Sequence, residues 1–250
     1  MRVAIIGTGR VGLVTGASLA SIGHHVTLVD IDAERVRAIT QGRAPFFEAG
    51  LPELLTQTIS QGRLAATLDL PQAVAGADIT MIAVGTPLRE GSIDLSDLGK
   101  TAEQVGTALR SATGYRVIAV KSTVVPGTTD TLVRGVVERA SGKPAGTFGF
   151  CMSPEFLREG SAVHDSLEPD RIIIGQQDAR AGRVLLELYE PFDCPKLVTS
   201  LRNAELIKYT SNALLATLVS FSNEIAALCE ATPGTDVDTV LHGVHLDRRL

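Results

Sequence analysis

The chain has 250 residues, of which 44% are apolar and 20% charged, a composition typical of a globular protein with its own core. A net charge of −5 without a basic run argues against nucleic acid as a partner, and we predict no metal site. We find no apolar run long enough for a membrane span and no signal peptide. Cys151, Cys194 and Cys229 form no C-x-x-C pair, which indicates a reducing, cytoplasmic environment.

Short apolar runs alternate with helical patterns along most of the chain. This alternation predicts an α/β fold with a doubly wound, Rossmann-like and mostly parallel sheet, covered by helices on both faces. The predicted strands are 2–7, 25–30, 79–84, 117–121, 148–152 and 171–175, with a weaker one at 197–199. The predicted helices are 11–22, 33–41, 51–61, 97–108, 128–140 and 179–190.

The segment from Asn203 to about Cys229 differs from the rest of the chain. It contains no Gly or Pro and is rich in Ala, Leu, Glu and Lys, which predicts one long connecting helix. Pro233 and Gly234 end this segment. We therefore predict a Rossmann-like sheet domain over residues 1–200. Residues 201–250 would hold the long helix and the start of a further helical region.

Three glycines follow the first predicted strand in the stretch V-A-I-I-G-T-G-R-V-G. Gly7 permits a tight turn, Gly9 lets backbone approach a pyrophosphate, and Gly12 lets helix and strand pack closely. The helix that starts here also offers free N–H groups, including those of Arg10 and Val11, and the positive end of its dipole. The pattern in this context predicts a dinucleotide site.

Asp30 ends the second predicted strand and indicates which dinucleotide is bound. Its carboxylate can accept hydrogen bonds from the adenosine ribose and would repel a 2′-phosphate, so NAD is favoured over NADP. Alternatively, Asp30 caps the next helix. Arg35 could reach the same ribose or could be a solvated arginine on the helix surface.

Two further loops follow predicted strands, where ligands bind in such folds. Gly85 and Thr86 lie in V-G-T-P, so Thr86 is a candidate cofactor contact, although Gly and Pro alone would make a turn there. Ser122 and Thr123 follow the fourth predicted strand, and their hydroxyls could bind nicotinamide, ribose or a catalytic water. A Ser-Thr pair is also common as a cap or turn.

Glu155 and Glu159 are four residues apart and would share one face if this stretch were helical. Two carboxylates at a crevice can share protons and position water, with one pKa raised. The alternative is two surface glutamates beside Arg158. Lys208 and Asn212 have the same spacing on the long helix and together suit a developing oxyanion. The alternative there is a solvated lysine.

Taken in order, these motifs resemble the UDP-glucose/GDP-mannose dehydrogenase group, and UDP-glucose 6-dehydrogenases in particular. The resemblance extends over nearly the whole chain and includes Asp165, Pro169 and Arg171. It also includes the stretches 42–51 (G-R-A-P-F-F-E-A-G-L), 94–96 (D-L-S), 121–129 (K-S-T-V-V-P-G-T-T), 153–160 (S-P-E-F-L-R-E-G), 205–212 (E-L-I-K-Y-T-S-N), 223–224 (N-E) and 246–249 (L-D-R-R).

The resemblance implies a role for each matching residue. Thr123 and Glu159 would place a catalytic water and contact the nicotinamide end, and Glu155 would serve acid/base work or water positioning. Lys208 and Asn212 would stabilise an oxyanion at C6 of the sugar. The sugar nucleotide would be lined largely by the backbone of Phe156, Leu157 and Arg158. The helix over 203–229 would carry the contact of a homodimer.

The implied reaction oxidises C6 of UDP-glucose twice with NAD, and a cysteine thiolate holds the aldehyde between the two steps. Arg10 and Ala49 depart from the family, which has an aromatic residue and a proline there. We find no glycine-rich cysteine segment within the 250 residues, so we expect NAD binding without net turnover by this chain alone. The rival interpretations are a GDP-mannose 6-dehydrogenase and a truncated, non-catalytic module that binds NAD or dimerises.

Overall fold

A computed structural model of the protein describes residues 1–247, so Arg248, Arg249 and Leu250 lie outside the described residues. Eight strands form one sheet and two short strands form a hairpin. The strands are β1 (Arg2–Ile6), β2 (His25–Val29), β3 (Leu64–Thr67), β4 (Ile79–Ile82), β5 (Leu88–Arg89), β6 (Ser92–Ile93), β7 (Arg116–Val120), β8 (Phe148–Met152), β9 (Ile172–Gln176) and β10 (Lys196–Ser200).

Helices connect these strands and cover both faces of the sheet. They are α1 (Arg10–Ser21), α2 (Ala33–Thr40), α3 (Leu51–Ser60), α4 (Leu70–Gly76), α5 (Ser96–Ala108), α6 (Arg134–Ser141), α7 (Ala162–Leu167), α8 (Ala179–Leu188), α9 (Leu201–Ala231) and α10 (Val237–His245). A 3-10 turn spans Leu109–Ser111, and a π-helical turn spans Thr129–Val133. The sequence did not predict β3, α4, α7 or the β5–β6 hairpin, whereas α10 lies where the start of a further helical region is predicted.

The sheet has the strand order β10-β9-β8-β7-β4-β1-β2-β3 and is parallel from β3 to β8. The chain runs outward from β1 to β3 and then returns to the other side of β1 as β4. Such a reversal of strand order opens a crevice at the carboxyl ends of the strands. We call the edge where β1, β2, β4, β7 and β8 end the carboxyl edge. The predicted doubly wound, mostly parallel sheet is confirmed.

The two outermost strands reverse direction. β9 is antiparallel to β8, with Met152 opposite Gly175, and β10 is parallel to β9, with Ser200 opposite Gln176. Because of this reversal, β10 ends at the level of the last residues of β8, with β9 between the two strands. The helix that follows, α9, therefore begins near the carboxyl edge.

Alternating residues of each strand pack on opposite faces, as the period of two in a strand requires. Ile5 and Leu28 belong to the core beneath α1, α3 and α8, whereas Ile6 and Phe150 belong to the core beneath α4, α5 and α6. Nearly every residue of β1, β4 and β8 is buried. This is the continuous apolar type expected for strands covered on both faces.

The chain divides into two compact units, Met1–Lys208 and Tyr209–Leu250. The first unit contains the sheet and the first two turns of α9. The second contains the rest of α9 and α10. The predicted long helix is confirmed, with bounds Leu201–Ala231.

The part of α9 in the second unit exposes a row of large apolar side chains, which are those of Leu214, Leu215, Leu218, Val219, Phe221 and Leu228. An 18-residue window of α9 has a mean hydropathy of 1.3, so by length and composition alone this helix could cross a membrane. Helices that bury such a face against protein meet the same criterion. The prediction that no membrane is involved therefore stays a prediction.

Candidate active site

The loops after β4 and β7 are tied together at the carboxyl edge. The Thr86 hydroxyl donates to the Thr123 carbonyl at 2.7 Å, and the Ser122 hydroxyl donates to the Val84 carbonyl at 2.6 Å. The hydroxyls of Thr86 and Ser122 therefore hold the two loops in place. Within residues 1–247 the Thr123 hydroxyl has no hydrogen-bond partner, which leaves it available to a ligand. The predicted cofactor contacts of Gly85, Thr86 and Ser122 stay predictions.

The glycine loop has the geometry that a pyrophosphate needs. Gly7 has a φ of +102°, and a Cβ on Gly12 would collide with the Gly7 carbonyl. A Cβ on Gly9 would meet no protein atom within 4 Å, so the space over this residue is open. No side chain caps α1, which leaves its first N–H groups, around Arg10 and Val11, free for an anion. The described residues fit a dinucleotide.

Asp30 lies beside this loop and is held there by Thr8. The Thr8 backbone N–H and hydroxyl donate to Asp30 Oδ2 at 2.8 and 2.5 Å, and the Asp32 N–H donates to Oδ1 at 3.0 Å. Burial alone would raise the pKa of Asp30, but these hydrogen bonds and the charge of Arg35 outweigh it, so the pKa is lowered. Asp30 is therefore a carboxylate, the state that the predicted recognition of a ribose requires.

The helix after β2 is capped by Asp32, which accepts from the N–H groups of Glu34 and Arg35. The alternative that Asp30 is the cap is therefore wrong. The guanidinium of Arg35 lies 4.0 Å from Asp30 and 3.7 Å from Asp32. Arg35 is thus paired with the acids of this site rather than only solvated.

Glu155 and Glu159 lie in an irregular segment, 153–161, and not on a helix. The condition for a shared helical face is therefore not met, because this segment contains no helix. Glu155 Oε2 accepts from the Leu157 N–H at 2.6 Å. The Glu159 side chain is 84% exposed and lies 3.6 Å from Arg10. The two carboxylates thus have different surroundings.

Lys208 is buried and pairs with Glu155 at a distance of 2.9 Å between Nζ and Oε1. The same ammonium lies 5.2 Å from the centre of the Phe156 ring, and Arg171 lies 4.2 Å from it. The alternative of a solvated lysine is therefore wrong. Asn212 belongs to the second compact unit, so its predicted place near Lys208 rests on helical spacing alone.

A buried glutamate fixes α9 in this position. Glu205 Oε2 and Oε1 accept from the N–H groups of Gly127 and Thr129 at 2.5 and 2.8 Å. These N–H groups lie at the end of the K-S-T-V-V-P-G stretch and at the start of the π-helical turn, where a carboxylate is favoured by the helix dipole. Glu205 therefore connects α9 to the loop that carries Thr123. Sequence reasoning gave this residue no role, although it stands in E-L-I-K.

Arg158 ties segment 153–161 to Asp165 on α7. Its N–H, Nε and Nη2 all donate to the Asp165 carboxylate, at 2.9, 3.1 and 2.6 Å. The Arg158 guanidinium lowers the pKa of Asp165 by this hydrogen bonding. The N–H groups of Leu157 and Arg158 thus already serve the segment itself. The predicted lining of a sugar-nucleotide site by Phe156, Leu157 and Arg158 stays a prediction.

Glu48 is a site residue that sequence reasoning missed. Its buried side chain accepts from Arg10 Nη1 at 2.5 Å and from the N–H groups of Gly160 and Ala162 at 3.2 and 2.8 Å. The sequence did contain one sign of this role, which is an acidic residue within the apolar stretch P-F-F-E-A-G-L. A carboxylate buried in such a stretch needs hydrogen-bonding or charged partners.

Neither Cys151 nor a metal cluster contributes to this site among the described residues. Cys151 is fully buried in β8, and burial raises the pKa of its thiol, so it is not a nucleophile. Within residues 1–247, no group of three or more His, Cys, Asp or Glu side chains could hold a metal ion.

Comparisons with known proteins agree on one family. Residues 1–193 match the NAD-binding domain of the UDP-glucose/GDP-mannose dehydrogenase family, and residues 202–250 match its central domain. A UDP-glucose 6-dehydrogenase of Bacillus subtilis is 43% identical over 251 residues, which is all of this chain and 56% of that protein. A GDP-mannose 6-dehydrogenase of Pseudomonas putida is 40% identical over 252 residues, all of this chain and 57% of that protein. The chain thus spans about half the length of the curated relatives it matches.

Solved structures give the same result. A ternary complex of GDP-mannose dehydrogenase from Pseudomonas aeruginosa has a TM-score of 0.97 and 37% identity over all of this chain and 58% of that one. A UDP-glucose dehydrogenase from Pyrobaculum islandicum has a TM-score of 0.94 and 42% identity over 99% of this chain and 57% of that one. With a glycine loop, a buried Lys–Glu pair and these matches, the chain belongs to the UDP-glucose/GDP-mannose dehydrogenase family.

Proposed function

We propose that this chain supplies the cofactor site and part of the catalytic site of an NAD-dependent nucleotide-sugar 6-dehydrogenase. The substrate that we assign is UDP-glucose, whose C6 alcohol is oxidised in two steps to the carboxylate of UDP-glucuronate. The observation that carries the proposal is the buried ion pair of Lys208 and Glu155 at the carboxyl edge. A module that only binds NAD has no need of such a pair.

The cofactor is NAD, which accepts hydride when bound. Gly7, Gly9 and Gly12, with the first N–H groups of α1, would hold its pyrophosphate. Asp30 would accept hydrogen bonds from its adenosine ribose, and its negative charge disfavours NADP. Thr86 and Thr123 follow β4 and β7 at the same edge, where they would border the nicotinamide end.

Lys208 and Glu155 supply the electrostatics that alcohol oxidation requires. An ammonium has three donors, and Glu155 occupies one of them in the structure. The others can stabilise negative charge that develops on the C6 oxygen, in a site where burial strengthens the interaction. Glu155 is held by Lys208 and by the Leu157 N–H, so it can take up or release a proton at a fixed position.

Formation of a carboxylate also requires the attack of water. The Thr123 hydroxyl is free to bind a water within the described part of the chain, and the exposed Glu159 carboxylate can accept its proton. The thiol step implied by the resemblance has no candidate at Cys151, because that thiol is buried. We accordingly expect the 250-residue chain to bind NAD and to form no NADH steadily by itself.

The choice between UDP-glucose and GDP-mannose rests on small differences. Two UDP-glucose 6-dehydrogenases of Bacillus subtilis are 43% and 44% identical, against 40% for the GDP-mannose enzyme of Pseudomonas putida. The stretch A-E-L-I-K-Y-T-S-N-A-L-L-A-T followed by S-F-S-N-E also favours UDP-glucose. GDP-mannose is kept as the second candidate because the GDP-mannose dehydrogenase structure superimposes with a TM-score of 0.97.

The test measures NADH formation by the full gene product with UDP-glucose, GDP-mannose and a UDP-N-acetylhexosamine. We expect turnover with UDP-glucose, and we expect Lys208→Met to abolish it. Lys100→Met, on the exposed face of α5, is the matched control and should keep full activity. NAD binding without NADH formation from any nucleotide sugar would favour the non-catalytic module instead. Steady NADH formation by the 250-residue chain would contradict the expectation for that chain alone.

We also propose a homodimer that forms through the helix over 203–229, in a cytoplasmic protein. The support is the row of exposed apolar side chains on α9, because exposed apolar rows of this size commonly mark association surfaces. Light scattering coupled to size exclusion tests this. A charge at Leu218 (Leu218→Arg) should shift the protein to monomer, whereas a wild-type monomer at all concentrations would contradict the proposal.

A further inference from the structure

The guanidinium of Arg10 joins three segments at the carboxyl edge. Arg10 is the first residue of α1, directly after Gly9. Its Nη1 lies 2.5 Å from Glu48 and 3.3 Å from the Phe47 carbonyl, and its Nε lies 3.6 Å from Glu159. The guanidinium also lies 5.1 Å from the centre of the Phe46 ring. One side chain thus connects the glycine loop with segments 43–50 and 153–161.

Glu48 makes this connection specific. Its side chain has no exposed area, whereas the Arg10 side chain is 29% exposed. Besides Arg10, it accepts from the N–H groups of Gly160 and Ala162. A buried carboxylate has lost its hydration and depends on such donors. Because its donors come from α1 and from residues 160–162, Glu48 fixes these two elements relative to each other.

We propose that Arg10 is a positioning residue that couples cofactor binding at the glycine loop to the placement of segment 153–161, which carries Glu155 and Glu159. The inference deepens the proposed function, and it rests on the NAD site rather than on the identity of the nucleotide sugar.

The glycine loop can transmit such coupling because it is rigid. A Cβ at Gly7 would lie 2.6 Å from the Ala83 carbonyl, and one at Gly12 would collide with Gly7, so the loop is tightly packed against protein at both of these glycines. Phosphates bound at the first N–H groups of α1 act on the turn from which the Arg10 side chain extends. Coupling free energies are reciprocal, so NAD stabilises the ordered segment 153–161 by the same free energy by which the ordered segment stabilises bound NAD.

Amide hydrogen exchange in the 250-residue chain tests the coupling. In the wild-type chain, NAD should slow exchange at the Gly160 and Ala162 N–H groups. In Arg10→Met, this slowing should disappear and the Kd for NAD should rise about 5-fold or more, the range typical of coupled sites. Arg139→Met removes an arginine from the exposed face of α6 and should behave as wild type.

Arg10→Lys separates positioning from stability. Lysine keeps a positive charge for Glu48 but lacks the fork that reaches Glu48 and Glu159 together. We expect its thermal midpoint to stay near wild type while the NAD-dependent slowing is lost. If Arg10 contributed only to stability, the thermal midpoint and the NAD-dependent slowing of amide exchange would change in proportion.

Three results would overturn the proposal. The first is a wild-type chain whose exchange at residues 160–162 is the same with and without NAD. The second is Arg10→Met with wild-type affinity and slowing, and the third is Arg10→Lys with both readouts changed in proportion to its stability. None of these measurements involves a nucleotide sugar, so loss of the dehydrogenase proposal would leave them unaffected.

Discussion

Replacing Lys208 by methionine removes one member of the buried pair while keeping a long side chain with similar helix propensity. The Nζ and Oε1 atoms are 2.9 Å apart, and the Lys208 and Glu155 side chains are 7% and 14% exposed. With an effective dielectric constant of about 20, the gross attraction is about 6 kcal/mol. Much of this offsets the dehydration of the two charges, so the gross value is not the net contribution.

The single variant leaves Glu155 buried without its partner, which typically costs about 3–5 kcal/mol. Since a domain has about 5–15 kcal/mol of stability, the change is large enough to measure. Glu155→Gln leaves the Lys208 ammonium buried without its charged partner in the same way. The double variant carries no unpaired charge, so its loss should be smaller than the sum of the two single losses.

Urea unfolding of the four proteins closes the double-mutant cycle, with circular dichroism as the probe. We expect a coupling free energy between Lys208 and Glu155 toward the upper end of the range of about 0.5–3 kcal/mol for residues in contact. Lys100 and Asp97 form an exposed pair at 3.5 Å and provide the control, which should show no measurable coupling. Additive losses for Lys208 and Glu155 would refute the reasoning, because the pair would then not form in solution.

Three further predictions follow from the same edge of the sheet. Gly9→Ala should fold like wild type and bind NAD weakly, whereas Gly12→Ala should lose both stability and NAD binding. The reason is that a Cβ at position 12 collides with protein atoms and a Cβ at position 9 does not. Equal thermal midpoints of the two variants would contradict this prediction. Asp30 has a lowered pKa, so its contribution to stability is present above pH 3.8 and is lost as the pH falls through the folded-state pKa. The difference in free energy of unfolding between wild type and Asp30→Asn should therefore shrink below pH 3.8. A difference that stays constant with pH would contradict the lowered pKa of Asp30. Glu205→Gln keeps one neutral oxygen acceptor and places an NH2 group opposite the other N–H donor. It should therefore lower the free energy of unfolding by about 1.5–3 kcal/mol, a loss that urea unfolding would detect.

The sequence predicted the parallel core of the sheet because buried strands are continuous apolar runs that end in glycine-rich or polar loops. It failed at β3, where L-A-A-T offers little apolar signal, and at the short helices α4 and α7. The predicted helix over 128–140 exists, but it opens with a π-helical turn at Thr129–Val133. Local pattern does not report the exact hydrogen-bond step of a helix.

The candidate site shows the same division. The glycine loop could be predicted because each glycine has a local steric reason. Contacts over long sequence separation could not, since nothing local in Glu48 points to Gly160, and nothing in Glu205 points to Gly127. The shared face of Glu155 and Glu159 was conditional on a helix, and the structure has no helix there, because spacing alone does not establish one.

The reversal of β9 and β10 explains how Lys208 reaches the site. Parallel neighbours require a crossover connection, usually a helix, but only the six-residue α7 lies between β8 and β9. The sequence predicts no helix between the strands at 148–152 and 171–175, and this gap indicated that the regular strand–helix alternation stops at β8. Because β9 and β10 run the other way, β10 ends beside Gln176, which in turn pairs with Cys151 of β8, and α9 begins at that level rather than at the opposite edge of the sheet. Gly175 leaves room for Leu201 and Ala204, and two turns later Lys208 contacts Glu155. A larger residue at position 175 would therefore displace Lys208 from Glu155 without touching either side chain.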